Sequence, residues 1–157
     1  MYAILRKSAL ALAVFALTVA AAATIAPASD AKSSAAATYA DMEKTLGFVP
    51  DFFKAFPESG ISGAWEEFKT IQLDPNTALS NKDKQLIGLA VSAQVPCQYC
   101  IYFHSAAAKA NGASDEEIKE AVAMAAVTRH WSTVLNGMQV DLATFKQQTN
   151  RVLGLSQ

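Results

Sequence analysis

Apolar residues along this chain return every three to four positions. Nowhere do they alternate with period two over a useful length, so the pattern predicts helices joined by short loops and no sheet. Ser80 caps a long helix, with Asp83 at the capping-box position and Leu86, Leu89, Ala90 and Ala93 on the helical period. A second helix is expected over 96–109, with Pro96 as its first residue and Asn111-Gly112 as its stop. Ser114 to Glu117 forms a capping box for a third, 118–135, whose Ala-rich stretch 121–126 permits close helix approach. The last helix spans 138–153, with Met138, Leu142, Phe145 and Val152 on one face and Gly154 after it. Upstream, Thr38 and Asp41 are expected to cap a short helix, 39–46, closed by Gly47. Pro50 and Pro57 bracket a single turn, and the phenylalanines at 48, 52, 53 and 56 are expected in the core. A helix over 59–71 carries Trp65, Phe68 and Ile71, with Glu66 and Glu67 in solvent. The fold class is an all-α helical bundle.

One stretch does not fit the bundle. Arg6 and Lys7 precede an apolar run, 9–26, and Ala26-Pro27-Ala28 and Ala21-Ala22-Ala23 both suit a small-x-small cleavage site. Residues 1–28 read as a secretory signal peptide, 29–37 as a linker and 38–157 as a single domain. The expected location is the periplasm or the outside of the cell; an uncleaved membrane anchor is the alternative. Losing Arg6 and Lys7 takes the 13 basic residues to 11 against 14 acidic, a net charge of −3. With no basic run, nucleic acid is not an expected partner.

The chemistry gathers in Pro96-Cys97-Gln98-Tyr99-Cys100-Ile101-Tyr102-Phe103-His104, which holds both cysteines of the chain. On a helix, Cys97 and Cys100 are neighbours, and His104 lies one turn beyond Cys100 on the same face. The first turn's free N–H groups favour a thiolate at Cys97, whereas an adjacent imidazole favours one at Cys100. A nucleophile, a base and a resolving thiol thus fit in one helix. A static disulfide is a second reading, although so short a loop removes little chain entropy. Zinc held by Cys97, Cys100, His104 and His130 is a third, lacking the usual second pair of close ligands. His130 and Trp131 would join the site if their helix folded back toward the thiols. A thioredoxin fold is excluded, because no strand precedes the cysteines.

The run from Leu79-Ser80 through Gln85-Leu86-Ile87-Gly88-Leu89-Ala90-Val91-Ser92, Cys97-Gln98-Tyr99-Cys100 and His104 to Ala110-Asn111-Gly112-Ala113-Ser114 resembles the carboxymuconolactone decarboxylase superfamily. More narrowly it is similar to the AhpD-like alkylhydroperoxidase branch, over about a third of the chain. The resemblance implies an all-helical, oligomeric protein, a trimer or hexamer. It also implies a redox cycle in which Cys100 attacks a hydroperoxide, Cys97 closes the disulfide and His104 relays protons. Two positions depart from the family pattern. Gln85 stands where peroxidase members carry a glutamate, and Tyr99 where the best-studied members carry a second histidine. Gln cannot accept a proton at neutral pH. A peroxidase with a thinner relay and a dithiol–disulfide exchanger therefore both stay open. So does a decarboxylase-like enzyme that does not use the thiols. The implied partners are a hydroperoxide or disulfide substrate and a thiol reductant. No cofactor and no metal are called for.

Overall fold

The computed structural model describes residues 28–155; the expected signal peptide lies outside them apart from Ala28. In chain order the helices are α1 (Ala28–Leu46), α2 (Asp51–Lys54), α3 (Ile61–Glu67), α4 (Asn81–Gln94), α5 (Gln98–Ala110), α6 (Asp115–Gly137) and α7 (Leu142–Leu153). A π-helical turn, Phe68–Leu73, continues α3. No strand occurs among the described residues.

The segment expected as a linker, 29–37, is helical and belongs to α1. Its Ala-rich sequence has high helix propensity, and packing adds to it. Ala35, Thr38 and Met42 form one buried stripe, at the spacing that places residues on one face of a helix. Thr38 is therefore not a cap. Its hydroxyl donates to the Ser34 carbonyl at 2.8 Å, inside the helix. Asp41 is not part of a capping box either. Its carboxylate accepts from the Trp65 indole N–H at 2.7 Å and from Lys69 Nζ at 2.9 Å, tying α1 to α3 and the π turn. These two hydrogen bonds hold the Asp41 carboxyl below its ordinary pKa, the indole contributing most. Gly47 does close α1, at φ +84° and with its N–H on the Glu43 carbonyl.

The N-terminal core is Ala35, Met42, Phe53, Ile61 and Trp65. Of the four phenylalanines expected there, only Phe53 is buried; Phe48, Phe52 and Phe56 are exposed. Pro50 and Pro57 leave room for one helical turn, and one turn presents one residue to the core. The expected continuous helix over 59–71 changes pitch at Phe68. Trp65 stays buried, Phe68 is partly so, and the wider winding turns Ile71 out to solvent. Glu66 and Glu67 are exposed as expected.

α4 packs chiefly against α5 and α6. Ser80 caps α4, accepting from the Asp83 N–H, and the reciprocal capping box of Ser114 and Glu117 starts α6. Lys82 of α4 meets Glu117 of α6 at 2.7 Å. The last helix begins later than expected. Met138 ends α6, and Asp141 caps α7 by accepting from the Thr144 N–H at 2.8 Å. α7 buries no residue against the rest of the described chain, and its expected apolar face is in the open.

Candidate active site

The site is made where the end of α4 turns into α5. The Cys97 N–H donates to the Ser92 carbonyl at 3.1 Å, which closes the C-terminus of α4. Pro96 is consumed in that turn and is not the first helical residue. Cys97 is the N-cap of α5 instead. Its sulfur accepts from the Cys100 N–H at 3.2 Å, so a side chain expected inside the first turn faces back onto it. Cys97 and Cys100 are joined as a disulfide with their Cα atoms 5.3 Å apart. The structure therefore brings the two sulfurs together as the spacing predicts.

His104 follows one turn along α5 and is partly buried. Its Nδ1 lies 2.8 Å from Oε1 of Gln85, which comes from α4 and is only 3% exposed. Burial lowers the imidazole pKa from its ordinary 6.5, which favours the neutral ring. The sign follows from linkage. The folded state binds this proton less readily than the unfolded chain does. Any stability carried by His104 is present above 6.5 and is lost as pH falls through the lowered folded value.

Gly88 makes this contact possible. A Cβ there would fall within the imidazole of His104, so only glycine lets the ring lie against α4. Gln85, Gly88 and Ser92 form one stripe of α4, and Ser92 is buried with its hydroxyl on the Gly88 carbonyl at 2.6 Å. Hydrophobic periodicity cannot detect a stripe made of Gln, Gly and Ser. Only the resemblance pointed to Gln85, and Gly88 was missed as a contact.

The disulfide and His104 line a cleft of about 870 Å³. Phe52 of α2, Phe68 and Gln72 of the π turn, and Tyr99, Tyr102 and Phe103 of α5 supply other walls. Phe103 links the two halves of the structure, with Phe68 at 6.0 Å on one side and the His104 ring edge-on at 5.3 Å on the other. Among the described residues, no Asp, Glu, Lys or Arg lines the cleft. Phe52 was expected in the core, and Phe68, Gln72, Tyr102 and Phe103 were not singled out for the site. Aromatic residues flanking His104 were the available signal, but the contribution of the π turn was not legible.

His130 and Trp131 are not in this cleft. α6 packs mainly against α4 and little against α5, so its second half does not fold back over the thiols. Both side chains are exposed and meet each other edge-on at 5.3 Å. The four donors of the zinc reading therefore do not converge within the chain. No cluster of three potential metal ligands occurs among the described residues. No described helix is long and apolar enough to cross a membrane.

Fold and site together define a class: all-helical proteins that present a vicinal cysteine pair and a histidine at a helix start. A family model described as the carboxymuconolactone decarboxylase family matches residues 61–142, just over half of the chain. The chain belongs to that family, and its helical fold is AhpD-like. The crystal structure of the alkylhydroperoxidase AhpD core from Rhodospirillum rubrum aligns with a TM-score of 0.61 and 27% identity, covering 70% of this chain and 83% of that one. An uncharacterized protein 4 in the cox locus of Paracoccus denitrificans is 42% identical over 52 residues, 33% of this chain and 47% of the relative. The match thus spans about half the length of that curated relative.

Proposed function

We propose that the chain is an exported thiol peroxidase of AhpD type that reduces hydroperoxides through Cys97 and Cys100. The observation that carries this reading is a cysteine pair joined at the wall of an aromatic cleft, with the His104 imidazole in the same lining. In the reduced protein, His104 takes the Cys100 thiol proton and the thiolate attacks the terminal peroxide oxygen. The O–O bond breaks, Cys100 becomes a sulfenic acid, and the alkoxide leaves as an alcohol after taking a proton. Cys97 then attacks that sulfur, forming the disulfide and releasing water. Two electrons from an external thiol reductant restore the dithiol by exchange. The cycle runs on sulfur alone and needs no metal or cofactor.

A second reading, dithiol–disulfide exchange with little peroxidase activity, is favoured by the Cys100 N–H on the Cys97 sulfur. In the reduced protein the same N–H would stabilise a Cys97 thiolate. Stopped-flow mixing of the reduced protein with hydrogen peroxide and with an organic hydroperoxide separates the two. Peroxidase action gives loss of both thiols and one new disulfide, faster than a free thiol reacts. Fast exchange with small disulfides and no hydroperoxide response supports the second reading and ends the first. Family-type activity that survives loss of both cysteines points to decarboxylase-like chemistry and ends both.

The working form in this proposal is a homo-oligomer, trimer or hexamer, of the helical domain that includes α1. Support comes from apolar side chains left uncovered within the chain: Val127, Trp131 and Val134 on α6, and Leu142, Phe145 and Leu153 on α7. Native mass spectrometry is expected to show the oligomer, and the double variant Leu142→Glu, Phe145→Glu is expected to shift it toward monomer. A monomeric wild type at micromolar concentration would remove the assembly from the proposal. Export is checked by the intact mass of the protein recovered from the periplasmic fraction, expected to lack residues up to about Ala28.

A further inference from the structure

We propose that Gln85 is a positioning residue that fixes His104 as its Nδ1–H tautomer and leaves Nε2 as the ring's proton acceptor. A neutral imidazole has one N–H and one lone pair, and either nitrogen can hold the hydrogen. The amide oxygen of Gln85 faces Nδ1 at 2.8 Å, and an amide oxygen can only accept. Nδ1 must therefore donate, and Nε2 carries the lone pair.

Gln85 is nearly inaccessible, so water cannot compete for this hydrogen bond. The ring has little freedom to escape it. Gly88 lets it lie against the α4 backbone, and Phe103 packs on its edge. The charged groups nearby do not offer Nδ1 another partner. Lys82 on α4 is engaged by Glu117 of α6, and Lys84 by the Asp74 carbonyl at 2.6 Å. Asp83 is exposed and closes the cap with Ser80. The other titratable groups of the cleft are the two cysteines when reduced, Tyr99 and Tyr102.

A neutral amide gives direction without charge. It orients the imidazole but does not stabilise the imidazolium formed once the proton has been taken, as a carboxylate would. This deepens the peroxidase reading, on which it rests only for the identity of the proton taken. The tautomer itself is independent of any activity.

The test is long-range ¹⁵N–¹H correlation NMR on the reduced, histidine-labelled protein, well above the ordinary imidazole pKa. His104 is expected to show a protonated-type Nδ1 and an unprotonated-type Nε2, with exposed His130 as the internal reference for an unlocked ring. Gln85→Leu should bring the His104 pattern to that of His130. Gln85→Glu should keep Nδ1–H and raise the pH at which the ring titrates. A wild-type His104 protonated at Nε2 overturns the proposal, whether or not the leucine variant folds. So does a Gln85→Leu spectrum identical to wild type. Because no peroxide enters the measurement, failure of the peroxidase reading and failure of the tautomer assignment are separate results.

Discussion

Cys100→Ser is expected to stop hydroperoxide turnover, lowering the rate by about 10³-fold or more, whereas Cys97→Ser keeps a single turnover. The argument is which atom carries the attack. A serine hydroxyl does not ionise near neutral pH, so His104 has no thiol proton to take and no sulfenic acid forms. With Cys97 replaced, attack proceeds and the sulfenic acid has no resolving partner. It then accumulates as one added oxygen on Cys100, visible by intact mass and trapped by a carbon nucleophile. Both variants should fold. The bridge spans only three positions, and so short a loop contributes below about 2 kcal/mol. The reverse pattern, with one oxygen trapped on Cys97 in Cys100→Ser, would move the attack to the N-cap sulfur. The Cys100 N–H would then be the group that activates it.

How far the chain could be read in advance depends on whether the deciding force was local. Ser80, Ser114 and Gly47 act through hydrogen bonds or φ angles within a few residues, and the helix ends they set appear as expected. The cysteine pair is local in the same sense, since its geometry follows from spacing alone. The misreadings share the opposite property. Residues 29–37 look like a linker until Ala35 joins Phe53, Ile61 and Trp65 in one core, a partner set supplied from α2 and α3. Asp41 suits a cap in sequence, but the Trp65 indole and Lys69 claim it from 24 and 28 residues away. Pro96 was assigned to α5, yet the end of α4 takes it. The site divides along the same line. The grouping of Cys97, Cys100 and His104 was legible, and the cleft they line was not, because Phe52, Phe68 and Gln72 reach it from the other half of the structure. Whether His130 reaches the site depends on how α6 returns, and the packing of α6 on α4 decides against it.

The Gln85–His104 pair leads to an expected gain of function. Gln85→Glu should raise the rate of hydroperoxide reduction at least tenfold, toward the roughly 10²–10⁴-fold that a positioned general base supplies. The glutamate carboxylate would still accept from Nδ1, so the ring keeps its orientation over Gly88. It would also stabilise the imidazolium formed when Nε2 takes the thiol proton, which a neutral amide does not. The same substitution should cost stability. Position 85 is 3% exposed, and a carboxylate there loses its hydration for one hydrogen bond to a ring that is neutral at rest. A melting temperature lower by about 4 °C or more is the expected companion. The two effects also change with pH in a defined direction. As pH falls toward the raised titration point of the ring, His104 charges, the buried carboxylate gains a counter-charge, and the stability deficit shrinks. The rate falls over the same range, because a protonated imidazole cannot accept. Stopped-flow rates and thermal melts across pH, on wild type and variant together, measure both. A Gln85→Glu protein with an unchanged rate and an unchanged pH profile would mean that the imidazole takes no part in activating the thiol.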